Sequence, residues 1–146
     1  MHGIIVGVDG SGDSQRALEW AMKEAAVRAT PLTVMTVHEQ ARGYLGGMNE
    51  FSNDHILGEK AREIVQAEVD SAASALGDSS PASVTVRVTS GSVVEELVNA
   101  AKDADMLVVG SRGAGGFSRL VMGSVSAQVT QHATCPVVVI PQADRQ

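Results

Sequence analysis

Gly110, Gly113 and Gly123 stand with two residues between the first pair and nine between the second. Ser124 follows the last glycine at once, and Ser126 comes two positions further on. A backbone without side chains lets a ligand approach the main chain closely. Successive N–H groups can then turn inward as a nest for an anion, and a helix that begins beside them adds its positive end. Glycine within a helix-like stretch costs about 1 kcal/mol against alanine. A phosphate lying on the Gly123 backbone compensates that cost, with the Gly123 N–H and the Ser124 hydroxyl donating to its oxygens. A second polar segment, DGSGDS, follows the first apolar run and offers the acid Asp9 beside hydroxyls.

Other chemistries fit these residues less well. No lysine follows the glycines, so the segment is not a Walker A loop. There is no G-x-G-x-x-G after the first strand and no G-x-S-x-G elbow. Asp9, Ser11 and Asp13 have the spacing that opens an EF-hand, but Ser14 occupies the glycine position and Trp20 the bidentate glutamate position. His2, His38, His55 and His132 share no metal-ligand spacing. Cys135 is the sole cysteine, which excludes an internal disulfide and fits a small buried apolar role. One Trp, one Tyr and two Phe equip the chain poorly to stack a flavin ring.

The elements that must position these groups alternate along the chain. GIIVGV (3–8) is a nearly continuous apolar run, as in a strand buried on both faces. A helix follows, with Ala17, Leu18, Ala21, Ala25 and Arg28 at helical spacing, one of Ser11, Asp13 or Ser14 as its cap, and Pro31 as its stop. LTVMTV (32–37) is a second strand. Residues 39–56 show no period and read as a loop or flap. A helix is expected from about Ile56 to Leu76, with Ile64, Val65, Val69 and Ala72 on one stripe. VTVRVT (84–89) alternates apolar and polar residues, the pattern of an edge strand with one wet face. Val94, Leu97, Val98 and Ala101 mark a third helix. DMLVVG (105–110) is a fourth strand, a helix from about Phe117 to His132 follows the glycines, and PVVVI (136–140) is a fifth strand. The order βαβαβαβαβ predicts a doubly wound, Rossmann-like parallel sheet of order 3-2-1-4-5 with helices on both faces. Its ligand crevice lies beyond the C-terminal ends of the first and fourth strands.

The 146 residues fit one domain, 1–146, and no internal repeat or long linker divides them. Formal net charge is −6, so no basic stripe is available for nucleic acid, whereas a local backbone site can still take a small anion. The N-terminal apolar run is too short for a signal peptide, and no stretch approaches the roughly 20 residues that span a bilayer. A cytoplasmic protein without nucleic-acid or membrane partners is the expectation.

The pattern Gly110-x2-Gly113-x9-Gly123-Ser124 resembles the nucleotide-binding motif of the ATP-binding branch of the universal stress proteins. The similarity extends through IIVGVDGSGDSQRALEWA at the start and ATCPVVVI at the end. It implies that Asp9 lies near the ribose and metal-bound phosphates, and that Gly7 on the first strand meets the nucleotide. It implies that the Val37 main chain pairs with the adenine edge, and that Val109, Gly110, Arg112 and Gly113 form the ribose and phosphate loop. Gly123, Ser124, Val125 and Ser126 then grip the phosphates. It further implies ATP with Mg²⁺ or Mn²⁺, and homodimers joined through the last strand. The expected function is a stress-response nucleotide sensor with at most slow hydrolysis. The competing expectation is an ATPase or nucleotidyl-transferring enzyme of related fold.

Overall fold

The computed structural model describes residues 3–9, 12–38, 47–111 and 124–141, without the side chains of 12–13 and 47–57. Five strands, β1 (Ile4–Gly7), β2 (Leu32–His38), β3 (Val84–Ser90), β4 (Met106–Gly110) and β5 (Val137–Ile140), form one parallel sheet in the order β3-β2-β1-β4-β5. Among the described residues four α-helices connect them: α1 (Gly12–Arg28), α2 (Gly47–Leu76), α3 (Val93–Ala100) and α4 (Ser124–His132).

Strand alternation sorts the sheet into two cores. Ile4, Val6 and Val8 of the central chain join Leu32, Val34 and Val108 beneath α1 and α2. Ile5, Met35, Leu107 and Val109 face the other way, against Leu97 and Val129 of α3 and α4. Both faces are thus covered, and the continuously apolar runs at β1, β2 and β4 are central. β3 alternates half-buried valines with exposed Thr85 and Arg87 and lies at an edge, as its pattern predicts.

Three readings change. α2 begins at Gly47, nine residues before the expected start, so part of the supposed 39–56 loop is helix. Its 30 residues span about 45 Å at 1.5 Å each, whereas the seven residues of β2 span about 23 Å. A Cβ placed on Gly58 would lie 3.7 Å from Nε2 of His38, the last residue of β2. The turns before Gly58 therefore run beyond the level of the last residue of β2. Ile64, expected on the stripe, is 55% exposed, while Val65, Val69 and Ala72 are buried. Arg28 likewise leaves the buried face of α1 and pairs with Glu24 at 2.7 Å one turn back. That helix ends in left-handed Ala29 (φ 53°), whose N–H bonds Ala26 C=O while the Thr30 N–H bonds Ala25 C=O, two residues before Pro31.

The two edges are finished differently. Arg62 of α2 donates through Nη1 to the outward carbonyl of Val86 at 3.0 Å, which occupies part of the β3 edge. The carbonyls of Pro136, just before β5, and of Ile140 at its end accept from Leu107 and Ser111 of the β4 side. Strand alternation then aims the main-chain groups of Val137 and Val139 away from β4.

At the opposite end of the sheet the start of β1 is clipped to the start of β4. Gly3 N–H donates to Asp105 Oδ2 at 3.0 Å, and Asp105 N–H returns a bond to Gly3 C=O at 2.8 Å. Asp105→Ala removes the side-chain half of this clip and is expected to cost about 1 kcal/mol, read as a lower urea midpoint with unchanged slope.

Candidate functional site

β1, the middle strand, stops before its neighbours. Its last paired residues are Gly7 against Met35 of β2 and Val6 against Val108 of β4. Val8 N–H still bonds Met35 C=O at 2.9 Å, and then the chain leaves the sheet at Asp9. β2 continues to His38 and β4 to Gly110. A notch opens between them, two strand spacings or about 10 Å across. It lies at the topological switch point, where open α/β sheets bind ligands.

The ladder alternation dictates what the walls present. Pro31, just before β2, and Met35 within it bond toward β1, whereas His38 C=O accepts Gly91 N–H on the β3 side. Val37 therefore aims its N–H and C=O toward the notch. Ser111 N–H bonds Ile140 C=O toward β5, so the preceding Gly110 directs its main-chain groups toward β1. Two backbone edges thus face each other over the end of β1. The Val37 side chain packs instead into the α3–α4 core, as do those of Val109 and Val125.

Asp9 stands exposed at the base of the notch, with its N–H donating to Ser14 Oγ at 3.2 Å. Ser14 is buried inside the first turn of α1 and fixes where the strand turns into the helix. Ser124, the first residue of α4, is exposed. Ser126 is buried, and its Oγ donates to Ser111 C=O at 3.3 Å, which ties the start of α4 to the end of β4. Gly7 has a packing reason: a Cβ there would stand 3.2 Å from both δ-methyls of Leu97. Gly7 is where α3 approaches the sheet, directly beneath the notch. Arg112, Gly113 and Gly123 lie outside the described residues.

Two features carried no usable sequence signal. Arg16 of α1 reaches the end of β5, donating from Nε to Pro141 C=O at 3.2 Å. Glu68 of α2 flanks the Val65–Val69 stripe and has Oε1 buried without a hydrogen-bond partner among the described residues. Burial raises its pKa above the ordinary 4.5, and the negative charge of Asp9 adds to the rise. Periodicity marks its buried neighbours, but it cannot say that Asp9, far away in sequence, is near.

Compared with known proteins, residues 1–141 match the universal stress protein family. The chain belongs to that family. A universal stress protein of Mycolicibacterium smegmatis is 33% identical over 150 residues, covering 99% of this chain and 49% of the relative. The chain spans about half the length of the curated universal stress proteins it matches. Among solved structures, universal stress protein UspA from Lactobacillus plantarum superimposes with a TM-score of 0.79 at 25% identity, covering 95% of this chain and 97% of that one. A universal stress protein in complex with cAMP gives a TM-score of 0.71 at 26% identity, covering 97% and 98%. Among the described residues no helix is long and apolar enough to cross a membrane.

The raised pKa of Glu68 makes a signed prediction. The folded state holds this proton more tightly than the unfolded chain does, so stability is lost as pH rises through and above 4.5. Glu68→Gln carries no such charge. The variant is expected to match the parent near pH 4 and to exceed it in unfolding free energy at pH 7. An identical difference at both pH values removes Glu68 from the acid-dependent stability.

Proposed function

We propose that the chain is a nucleotide-binding regulatory member of its family that holds ATP in the notch and hydrolyses it at most slowly. The observation that carries this reading is the pair of backbone edges, Val37 and Gly110, facing each other over the end of β1 with Asp9 between them. A purine edge is a flat row of donors and acceptors, which a main-chain N–H and C=O can match without side chains. The solved relative in complex with cAMP supports a nucleotide as occupant. The phosphates then run past Gly110 toward Ser124, where the N-terminus of α4 offers N–H donors; the family resemblance assigns Gly113 and Gly123 to the same task. Mg²⁺ or Mn²⁺ would be carried on the phosphates, with Asp9 near them at the end of β1. Phosphoryl transfer depends on positioned cationic groups, and the glycine segment contains no lysine. Binding that biases conformation or assembly fits these parts better than rapid turnover. Action in the cytoplasm, as one nucleotide-binding unit, completes the proposal.

A homodimer through β5 belongs to the same reading. Among the described residues nothing caps the outward main-chain groups of Val137 and Val139, whereas Arg62 caps Val86 at the other edge. Pairing of β5 with its own copy satisfies those groups and covers the half-buried valines.

Two measurements test the proposal. Parent protein is expected to release ATP on denaturation, and Gly113→Ala or Gly123→Ala to lose it by crowding the phosphates. Retention of ATP by both variants overturns the site. Val139→Pro deletes an outward N–H without touching the β4 ladder, and sedimentation is expected to show a folded monomer in place of a dimer.

A further inference from the structure

Arg16 lies on the first helix, far in sequence from the glycines, yet the hydrogen bonds lead from it to the proposed phosphate end of the notch. Its Nε is held by Pro141 C=O at 3.2 Å. Pro141 follows Ile140, whose carbonyl accepts Ser111 N–H at 2.8 Å. Ser111 follows Gly110, and its own carbonyl accepts Ser126 Oγ from the first turn of α4 at 3.3 Å. The guanidinium thus sits at the C-terminal edge of the sheet, beside the strand end that holds Ile140 against Ser111.

The Nε bond uses one of five N–H donors and fixes the end of a long side chain. Among the described residues no carboxylate pairs with Arg16 and no other bond engages it. Arg16 is exposed. The remaining donors form a planar fork that suits two oxygens of one phosphate. A full positive charge is also needed there. The chain carries 17 acidic residues against 11 Lys and Arg, and backbone amides supply only partial charges to a polyphosphate.

We infer that Arg16 contacts the phosphates beyond the first, so that the notch prefers a nucleoside di- or triphosphate to a monophosphate. This inference rests on the nucleotide reading above. It also gives α1 a part in the site besides packing, because a phosphate on Arg16 anchors the helix, the end of β5 and the start of α4 to one ligand.

Calorimetric titration of ATP, ADP and AMP with Mg²⁺ into parent, Arg16→Gln and Arg16→Lys tests it. Gln can still donate to Pro141 C=O but has no charge; Lys keeps the charge. Arg16→Gln is expected to weaken ATP about tenfold, the scale of one charge-assisted contact, while AMP changes less than about twofold and Lys falls between. Equal changes for ATP and AMP, or none for either, overturn the inference. A parent that binds ATP and AMP equally overturns it while leaving the nucleotide reading intact. A parent that binds no nucleotide overturns both.

Discussion

Backbone N–H and C=O groups must find partners, and a central strand shorter than both of its neighbours denies them some. β1 has four residues where β2 has seven and β4 five. The shortfall lies at the C-terminal end, so Val37 and Gly110 extend past the last β1 residue of their ladders. The rest of the candidate site follows from the notch this leaves. Asp9 is its floor because the chain must exit there, and Ser14 receives the Asp9 N–H because α1 begins there.

The surroundings fix the strand ends that flank this notch. Leu97 packs beneath Gly7, so α3 supports the end of β1 at close range. Ser111 binds in two directions, to Ile140 and to Ser126, and joins β5, β4 and α4 at one point. α2 passes close to the end of β2, where Gly58 lies beside His38. The result is a recognition surface built largely from main chain. Such a surface tolerates an acidic protein, because its attraction comes from oriented dipoles close to the ligand rather than from net charge.

Much of the fold was legible because burial leaves periodic marks. Strands covered on both faces read as continuous apolar runs, and β3 alternates because one of its faces is wetter. Where burial stops, the marks stop. Residues 47–55 carry no apolar period, so their helical backbone left no mark in the sequence. Ile64 and Arg28 fitted a helical spacing without belonging to the buried stripe, since spacing alone does not say which face meets the sheet. Gly7 was legible as a special position, but its contact with Leu97 of α3 could be seen only in space. The spacing beside Gly123 marks Ser126, but its bond to Ser111 C=O is a contact that no spacing shows. Arg16 left no trace, because its partner is a carbonyl 125 residues away.

Amino-acid order by itself determined the alternation of strands and helices, the parallel sheet and its strand sequence, and the family to which the chain belongs. Those properties rest on local hydrophobic period and on the few ways a right-handed β–α–β chain can be wound. Tertiary structure alone decided that β1 ends early, that two backbone edges confront each other across it, and that Glu68 sits near Asp9 and Arg16 near Pro141. These are distances between segments remote in the chain, fixed by the lengths and packing of whole elements rather than by any residue's own preference.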